Sequence, residues 1–224
     1  MQIERSTLDF LQDLKKNNDL EWFHASRNPY EAAKNNVLET ASELLVAINR
    51  FDSSMGYPDL RRCMFRIARD TRFSADKSPY KTNLGVVFAP DGRVHSPLSR
   101  FYMHIEPGAS FVSCGVYLPE PETLRSIREA IDDEWETFRA ILDRKAFKTN
   151  LGDLSREDRV LKRVPTGFDK DSPAAEYLKL TSFYAFKDLD DDTVCSPGYV
   201  ETAAGLFRIM QPLNEFLNRA ILNG

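Results

Sequence analysis

The chain has 224 residues, 42% of them hydrophobic and 29% charged, with a net charge of −4. That length and apolar content suffice for a sizeable buried core in one large domain, which excludes intrinsic disorder, and no apolar run approaches the roughly 20 residues a membrane helix requires. The first five residues hold an acid, Glu4, and the N-terminus has no continuous apolar stretch, unlike a secretory leader. Cys63, Cys114 and Cys195 are odd in number and widely spaced, which fits reduced, mostly buried thiols. The expectation is a cytoplasmic protein.

In chain order, residues 1–224 read as a single domain: helical over 1–55, sheet-rich over 61–118, helical over 122–145, a strand at 181–186 and a closing helix at 197–222. Leu8, Leu11 and Leu14 recur at helical spacing, and Asn17-Asn18 ends that first helix. A longer helix is predicted from Asn28-Pro29, with Asn28 as cap, Pro29 at the first helical position, and a stripe of Tyr30, Ala33, Val37, Ala41, Leu44, Ile48 and Phe51 facing a core. From Cys63 the period changes to two. Cys63, Phe65 and Ile67 share one face of a predicted strand, with Arg66 opposite, and Leu84 to Ala89 is a short apolar strand stopped by Pro90-Asp91-Gly92.

The clearest signal is a hairpin bent at Pro107-Gly108. Phe101, Met103 and Ile105 then lie on one face with Ser110, Val112 and Cys114, and Tyr102, His104 and Glu106 lie on the other beside Phe111 and Ser113. Because L-Pro-Gly favours a type II turn and tight hairpins favour primed turns, a longer loop is allowed for. Leu124, Ile127, Ile131, Trp135, Phe138 and Ile141 are spaced for one helix or two stacked ones. Ser172-Pro173 starts a short helix, and the last helix carries Pro212 in its interior. Sheet strands in the middle with helices at both ends make the fold class α+β, with a mainly antiparallel central sheet.

Residues 61–81 carry seven Lys or Arg against two Asp, a local positive excess in a chain of net charge −4. Crowded like charges repel unless a ligand or carboxylates neutralise them. Three readings follow. Asp70 and Asp76 pair with Arg69, Arg72 or Lys77 and pin a long ordered loop. Alternatively, Arg66, Arg69, Arg72, Lys77 and Lys81 supply charge and Ser74 and Tyr80 hydrogen bonds to a small phosphate or carboxylate ligand. Extended nucleic-acid contact is disfavoured, because sequence-independent nucleic-acid binders are usually basic as whole domains. On the hairpin, Tyr102, His104 and Glu106 share a face, so His104 and Glu106 are candidate catalytic acid–base residues and Tyr102 a candidate ligand contact; a lone histidine on a strand is more often structural.

Metal and cofactor signatures are missing. No His-Glu-x-x-His occurs, and the acidic run at Asp188, Asp190, Asp191 and Asp192 lacks the glycine and glutamate of an EF-hand loop. There is no P-loop, no Rossmann glycine fingerprint and no serine elbow. No metal and no cofactor are therefore expected, and no membrane partner; oligomeric state is left open.

The block Arg69-Asp70-Thr71-Arg72-Phe73-Ser74-Ala75-Asp76-Lys77-Ser78-Pro79-Tyr80-Lys81 resembles the family catalogued as domain of unknown function 2461. Phe10-Leu11, Asn17-Asn18 and Trp22-Phe23 look like its N-terminal signature, and Tyr102, Glu106-Pro107-Gly108 and Gly115-Val116-Tyr117-Leu118-Pro119 like its middle. Pro165-Thr166-Gly167-Phe168 with Tyr177-Leu178-Lys179 is similar to its C-terminal block. Ala75 stands where the family often has a further Lys. The resemblance spans nearly the whole chain and implies a stand-alone cytoplasmic protein of mixed α and β structure, common in bacteria; it implies no activity. The functional expectation is a small-anion site built on residues 61–81, enzymatic or not, against a non-enzymatic scaffold whose basic loop docks nucleic acid or an acidic partner.

Overall fold

The computed structural model describes residues 1–72 and 74–224. Its centre is one four-stranded antiparallel sheet in the order β1-β2-β3-β4, formed by β1 (Leu84–Phe88), β2 (Arg100–Ile105), β3 (Ser110–Val116) and β4 (Phe183–Leu189). Ahead of it come α1 (Arg5–Lys16), α2 (Leu20–Ala25), α3 (Arg27–Asn49) and the short α4 (Leu60–Cys63). Between β3 and β4 lie α5 (Pro121–Asp133), α6 (Trp135–Leu142), α7 (Lys145–Leu151) and α8 (Ala175–Leu178). After β4 the chain adds α9 (Asp191–Val194) and α10 (Tyr199–Asn223). The fold is α+β. Among the described residues no helix is long and apolar enough to cross a membrane.

The hairpin register is the one the alternation predicts. Phe101, Met103, Ile105 and Val112 are fully buried and Val116 nearly so, while Tyr102, His104 and Glu106 remain partly exposed. The bend is a four-residue turn, Glu106 to Ala109, closed by the Ala109 amide on the Glu106 carbonyl at 3.0 Å, with Gly108 at φ +72. Proline followed by a residue at positive φ is the type II pattern. Ser110 secures it, its hydroxyl donating to the Glu106 carbonyl at 2.9 Å and accepting from the Glu106 amide at 3.0 Å.

Two sequence expectations are corrected. Cys63, Phe65 and Ile67 do not form a regular strand: Cys63 closes α4, which the Asp59 carboxylate caps by accepting from the Arg61 amide. The segment after it meets the β1 side only at isolated antiparallel bridges, Met64 with Val86 and Ala68 with Tyr80. Between the two bridges three residues on one side must match five on the other, so a continuous ladder cannot form. The long helix starts at Arg27 with Ser26 at its cap position, ahead of the expected Asn28, and the interval before it holds α2, capped by Asp19 on the Trp22 amide.

By packing, the chain divides into two compact units: Met1–Val94 with Tyr102–Val112 and Asp188–Gly205, and His95–Phe101 with Ser113–Lys187 and Leu206–Gly224. In the first, α1 buries Leu8, Leu11 and Leu14, and α3 buries the predicted stripe from Tyr30 to Ile48. Asn36 interrupts that stripe. Its side-chain oxygen accepts from the Glu4 amide and the Thr7 hydroxyl, both at 2.9 Å, and its amide donates to the Gln2 carbonyl at 3.1 Å. One buried side chain thereby ties the start of α1 to α3. In the second unit, Ile127 and Ile131 of α5 pack with Phe138 and Leu142 of α6, Phe147, Leu178, Phe183 and Leu213, Phe216 and Leu217 of α10. The 122–145 helical stretch is thus two helices and the start of a third. Cys63 and Cys114 are buried and Cys195 is partly exposed.

Asn36→Leu leaves the Thr7 hydroxyl and the Glu4 amide without their partner inside the protein, while the Gln2 carbonyl keeps the Thr40 hydroxyl at 3.2 Å. The expected loss is about 3 kcal/mol, since each unsatisfied buried group costs about 1–3 kcal/mol. Urea unfolding checks it, and a midpoint equal to that of the parent at unchanged slope refutes it.

Candidate functional site

Residues at i, i+2 and i+4 of a strand stand in a row on one face, about 6–7 Å apart per step. Tyr102, His104 and Glu106 occupy such a row, and their side chains join into one chain of hydrogen bonds. The Tyr102 hydroxyl lies 2.9 Å from His104 Nδ1, and His104 Nε2 lies 3.2 Å from Glu106 Oε2. Thr82 completes it, its hydroxyl donating to Glu106 Oε1 at 2.7 Å. The proton directions follow from the chemistry. An ionised carboxylate only accepts, so His104 donates from Nε2; a neutral ring then has a bare Nδ1, to which the Tyr102 hydroxyl donates.

The row is held rigidly. His104 stacks on Phe111 of β3 with ring centroids 4.5 Å apart and planes at 15°, and Phe65 meets the Tyr102 ring edge-on at 5.8 Å. Gly85 of β1 makes room for the phenol: a β-carbon there would lie 2.8 Å from Tyr102 Cε2 and collide with the hydroxyl. The His104 and Glu106 side chains are only 12% and 21% exposed. Glu106 has its pKa lowered, first by the His104 hydrogen bond, with Thr82, the charge of His104 and Lys15 adding to it and burial opposing it.

The basic segment separates into two groups. In one, cations are bound by their neighbours. Arg72 forks onto Asp70, Nε to Oδ1 at 2.9 Å and Nη2 to Oδ2 at 2.7 Å. Arg69 pairs with Asp76 and reaches the Ser78 carbonyl at 3.3 Å and the Ser74 hydroxyl at 3.4 Å. Asp76 is lowered well below the ordinary carboxylate range, chiefly by the Ser78 hydroxyl and amide and then by Arg69. Lys77 donates to the Thr71 carbonyl at 2.9 Å. Tyr80 is buried, its ring stacked on Phe23 at 3.9 Å and its backbone clasped by the Asn18 side chain at 2.9 and 3.0 Å. These residues brace the loop.

Lys81 and Arg66 form the other group. The Lys81 ammonium lies over the Phe65 ring at 5.0 Å, and Phe65 is the same ring that contacts Tyr102. Burial, followed by the charge of Arg66, lowers the Lys81 pKa. Among the described residues Lys81 forms no ion pair with a carboxylate. Arg66 is exposed. The structure therefore brings Lys81, Tyr102, His104 and Glu106 around Phe65 and Phe111, and leaves Arg69, Arg72, Ser74, Lys77 and Tyr80 in the braced loop. Thr82 and Gly85 escaped the sequence reading. Thr82 is one residue beyond the basic block, and Gly85 interrupts an otherwise apolar strand, which was the available signal. Among the described residues no group of three or more His, Cys, Asp or Glu is placed to hold a metal.

A family model described as a conserved hypothetical protein, DUF2461, matches residues 6–216, and the chain belongs to that family. No curated protein and no solved structure matches it.

Glu106 links the site to pH. A carboxyl whose folded-state pKa is depressed contributes stability that is complete above its unfolded value and is lost as pH falls through the folded one. The parent protein is therefore expected to lose stability relative to Glu106→Gln as pH falls below the ordinary glutamate value of 4.5. Urea unfolding of both chains at stepped pH measures this; a gap between them that stays constant through that window contradicts it.

Proposed function

We propose that the β2 row is an acid–base site acting on a small anionic substrate. Tyr102 meets the substrate, His104 takes and returns the Tyr102 proton, Glu106 stabilises the imidazolium, and Lys81 with Arg66 neutralises a phosphate or carboxylate. The observation that carries this reading is the unbroken hydrogen-bond chain from Thr82 through Glu106 and His104 to the phenol. When the proton passes from the Tyr102 oxygen to Nδ1, the imidazolium has a phenolate on one side and a carboxylate on the other. Both charges that develop are adjacent to their opposites, which lowers the cost of separating them.

Lys81 supports the anionic substrate class. A half-buried ammonium on an aromatic face, repelled by Arg66, gains most from an anion placed beside it. The self-paired Arg69 and Arg72 favour a narrower anion site than the whole basic segment, and leave less charge for a nucleic acid or an acidic partner. Three reduced cysteines fit a cytoplasmic setting.

Calorimetry with inorganic phosphate, and turnover of p-nitrophenyl phosphate and p-nitrophenyl acetate, test the reading. Lys81→Ala is expected to weaken phosphate binding by about 1.5–3 kcal/mol, the range of a charge-assisted hydrogen bond, while Arg72→Ala leaves it unchanged. Tyr102→Phe and His104→Gln are expected to lower turnover about 10²–10⁴-fold, the usual contribution of a positioned acid or base. Absence of phosphate affinity in the parent, or turnover indifferent to both variants, would sink it and return the row to a structural role.

A further inference from the structure

The second unit contains a cavity of about 500 Å³ between α5 and the Pro165 to Phe168 loop, and its wall holds a buried cation. Ile127 and Ile131 point from α5 into the core, which turns Arg128 and Asp132, one helical turn apart, toward this opening. Arg128 is only 8% exposed. Its Nη2 donates to the Leu180 carbonyl at 2.8 Å, and among the described residues its Nε has no acceptor. Among the described residues no carboxylate pairs with it. Burial accordingly lowers its pKa. A guanidinium largely withdrawn from water and held by one neutral carbonyl carries a charge that no carboxylate among the described residues compensates, and such charges call for an anion.

The other charges in the wall restrict what that anion belongs to. Arg125 and Glu129 neutralise each other through a 2.8 Å contact. Asp132 accepts from the Ser172 hydroxyl at 2.5 Å and among the described residues forms no ion pair, and Asp133 is exposed at the rim. One buried cation thus faces two carboxylates. A phosphate dianion would be repelled by both aspartates, a simple carboxylate would satisfy Arg128 alone, and a simple amine would leave Arg128 bare. A ligand with both charges satisfies every group. Four residues along a helix correspond to about 6 Å, which sets the separation of those charges.

We propose that this cavity binds a small zwitterion of the ω-amino-acid type, with its carboxylate on the Arg128 guanidinium and its ammonium toward Asp132 and Asp133. The cavity uses none of the residues of the acid–base reading and stands independently of it.

Nitrogen-15 NMR of the arginine Nε–H groups in the full chain tests this, with 4-aminobutyrate, butyrate, butylamine and inorganic phosphate as probes. 4-Aminobutyrate is expected to shift the Arg128 Nε–H signal saturably, with an affinity at least about tenfold above butyrate and butylamine, and phosphate is expected to leave it unmoved. Arg128→Met should abolish the binding. Because that change also removes the Leu180 contact, Asp133→Asn, at an exposed position, is the second variant: it should weaken 4-aminobutyrate about tenfold and leave butyrate unaffected. No saturable shift with any probe overturns the site, and equal affinity for butyrate and 4-aminobutyrate, or indifference to Asp133→Asn, overturns the zwitterion.

Discussion

The two-residue period of β2 is the constraint on which the rest depends. A strand can bury only every second side chain, so committing Phe101, Met103 and Ile105 to the core obliges Tyr102, His104 and Glu106 to share the opposite face. The type II turn at Pro107-Gly108 and the Ser110 clasp then fix the register, and with it the position of Phe111 beneath the His104 ring. A slip of one residue would exchange the apolar and polar rows entirely. The polar row of Tyr102, His104 and Glu106 is therefore a consequence of how the core is filled.

Electrostatics in the basic segment illustrates how proximity decides the use of a charge. Arg72 has Asp70 two residues away, and Arg69 reaches Asp76 across the loop, so these guanidinium groups find partners within their own stretch of chain. Such exposed pairs contribute little to stability individually, but they hold the loop in one arrangement. Lys81 differs because the antiparallel contact of its amide with the Ile67 carbonyl, at 2.8 Å, turns it away from those aspartates and onto Phe65. Its position over the Phe65 ring is inherited from that backbone contact.

Buried polar groups distinguish two kinds of site. Asn36 is buried with its oxygen and its amide both engaged, which is the signature of a structural tie. Arg128 is buried with one donor spent on a carbonyl and another left over, beside a cavity of its own. The first needs nothing more from its surroundings. The second has an electrostatic requirement that the protein leaves unmet.

The sequence by itself determined the elements whose signal is local. The period-two pattern of residues 101–116, the α3 stripe and the closing helix were all legible, because a strand or helix that buries one face must repeat its apolar residues at that spacing. The row of Tyr102, His104 and Glu106 was legible for the same reason. Only the tertiary structure decided what depends on residues far apart in the chain. It decided that Cys63 ends a helix instead of opening a strand, since the three residues between the bridges there face five, a mismatch no local pattern encodes. It decided that Thr82 closes the hydrogen-bond chain on Glu106, that Gly85 admits the phenol, and that Arg128 faces a cavity with an idle donor. Composition and spacing describe what each side chain can offer; which offers are taken up is fixed by long-range packing, because a hydrogen bond or an ion pair is made only where the folded chain brings its two partners within about 3–4 Å.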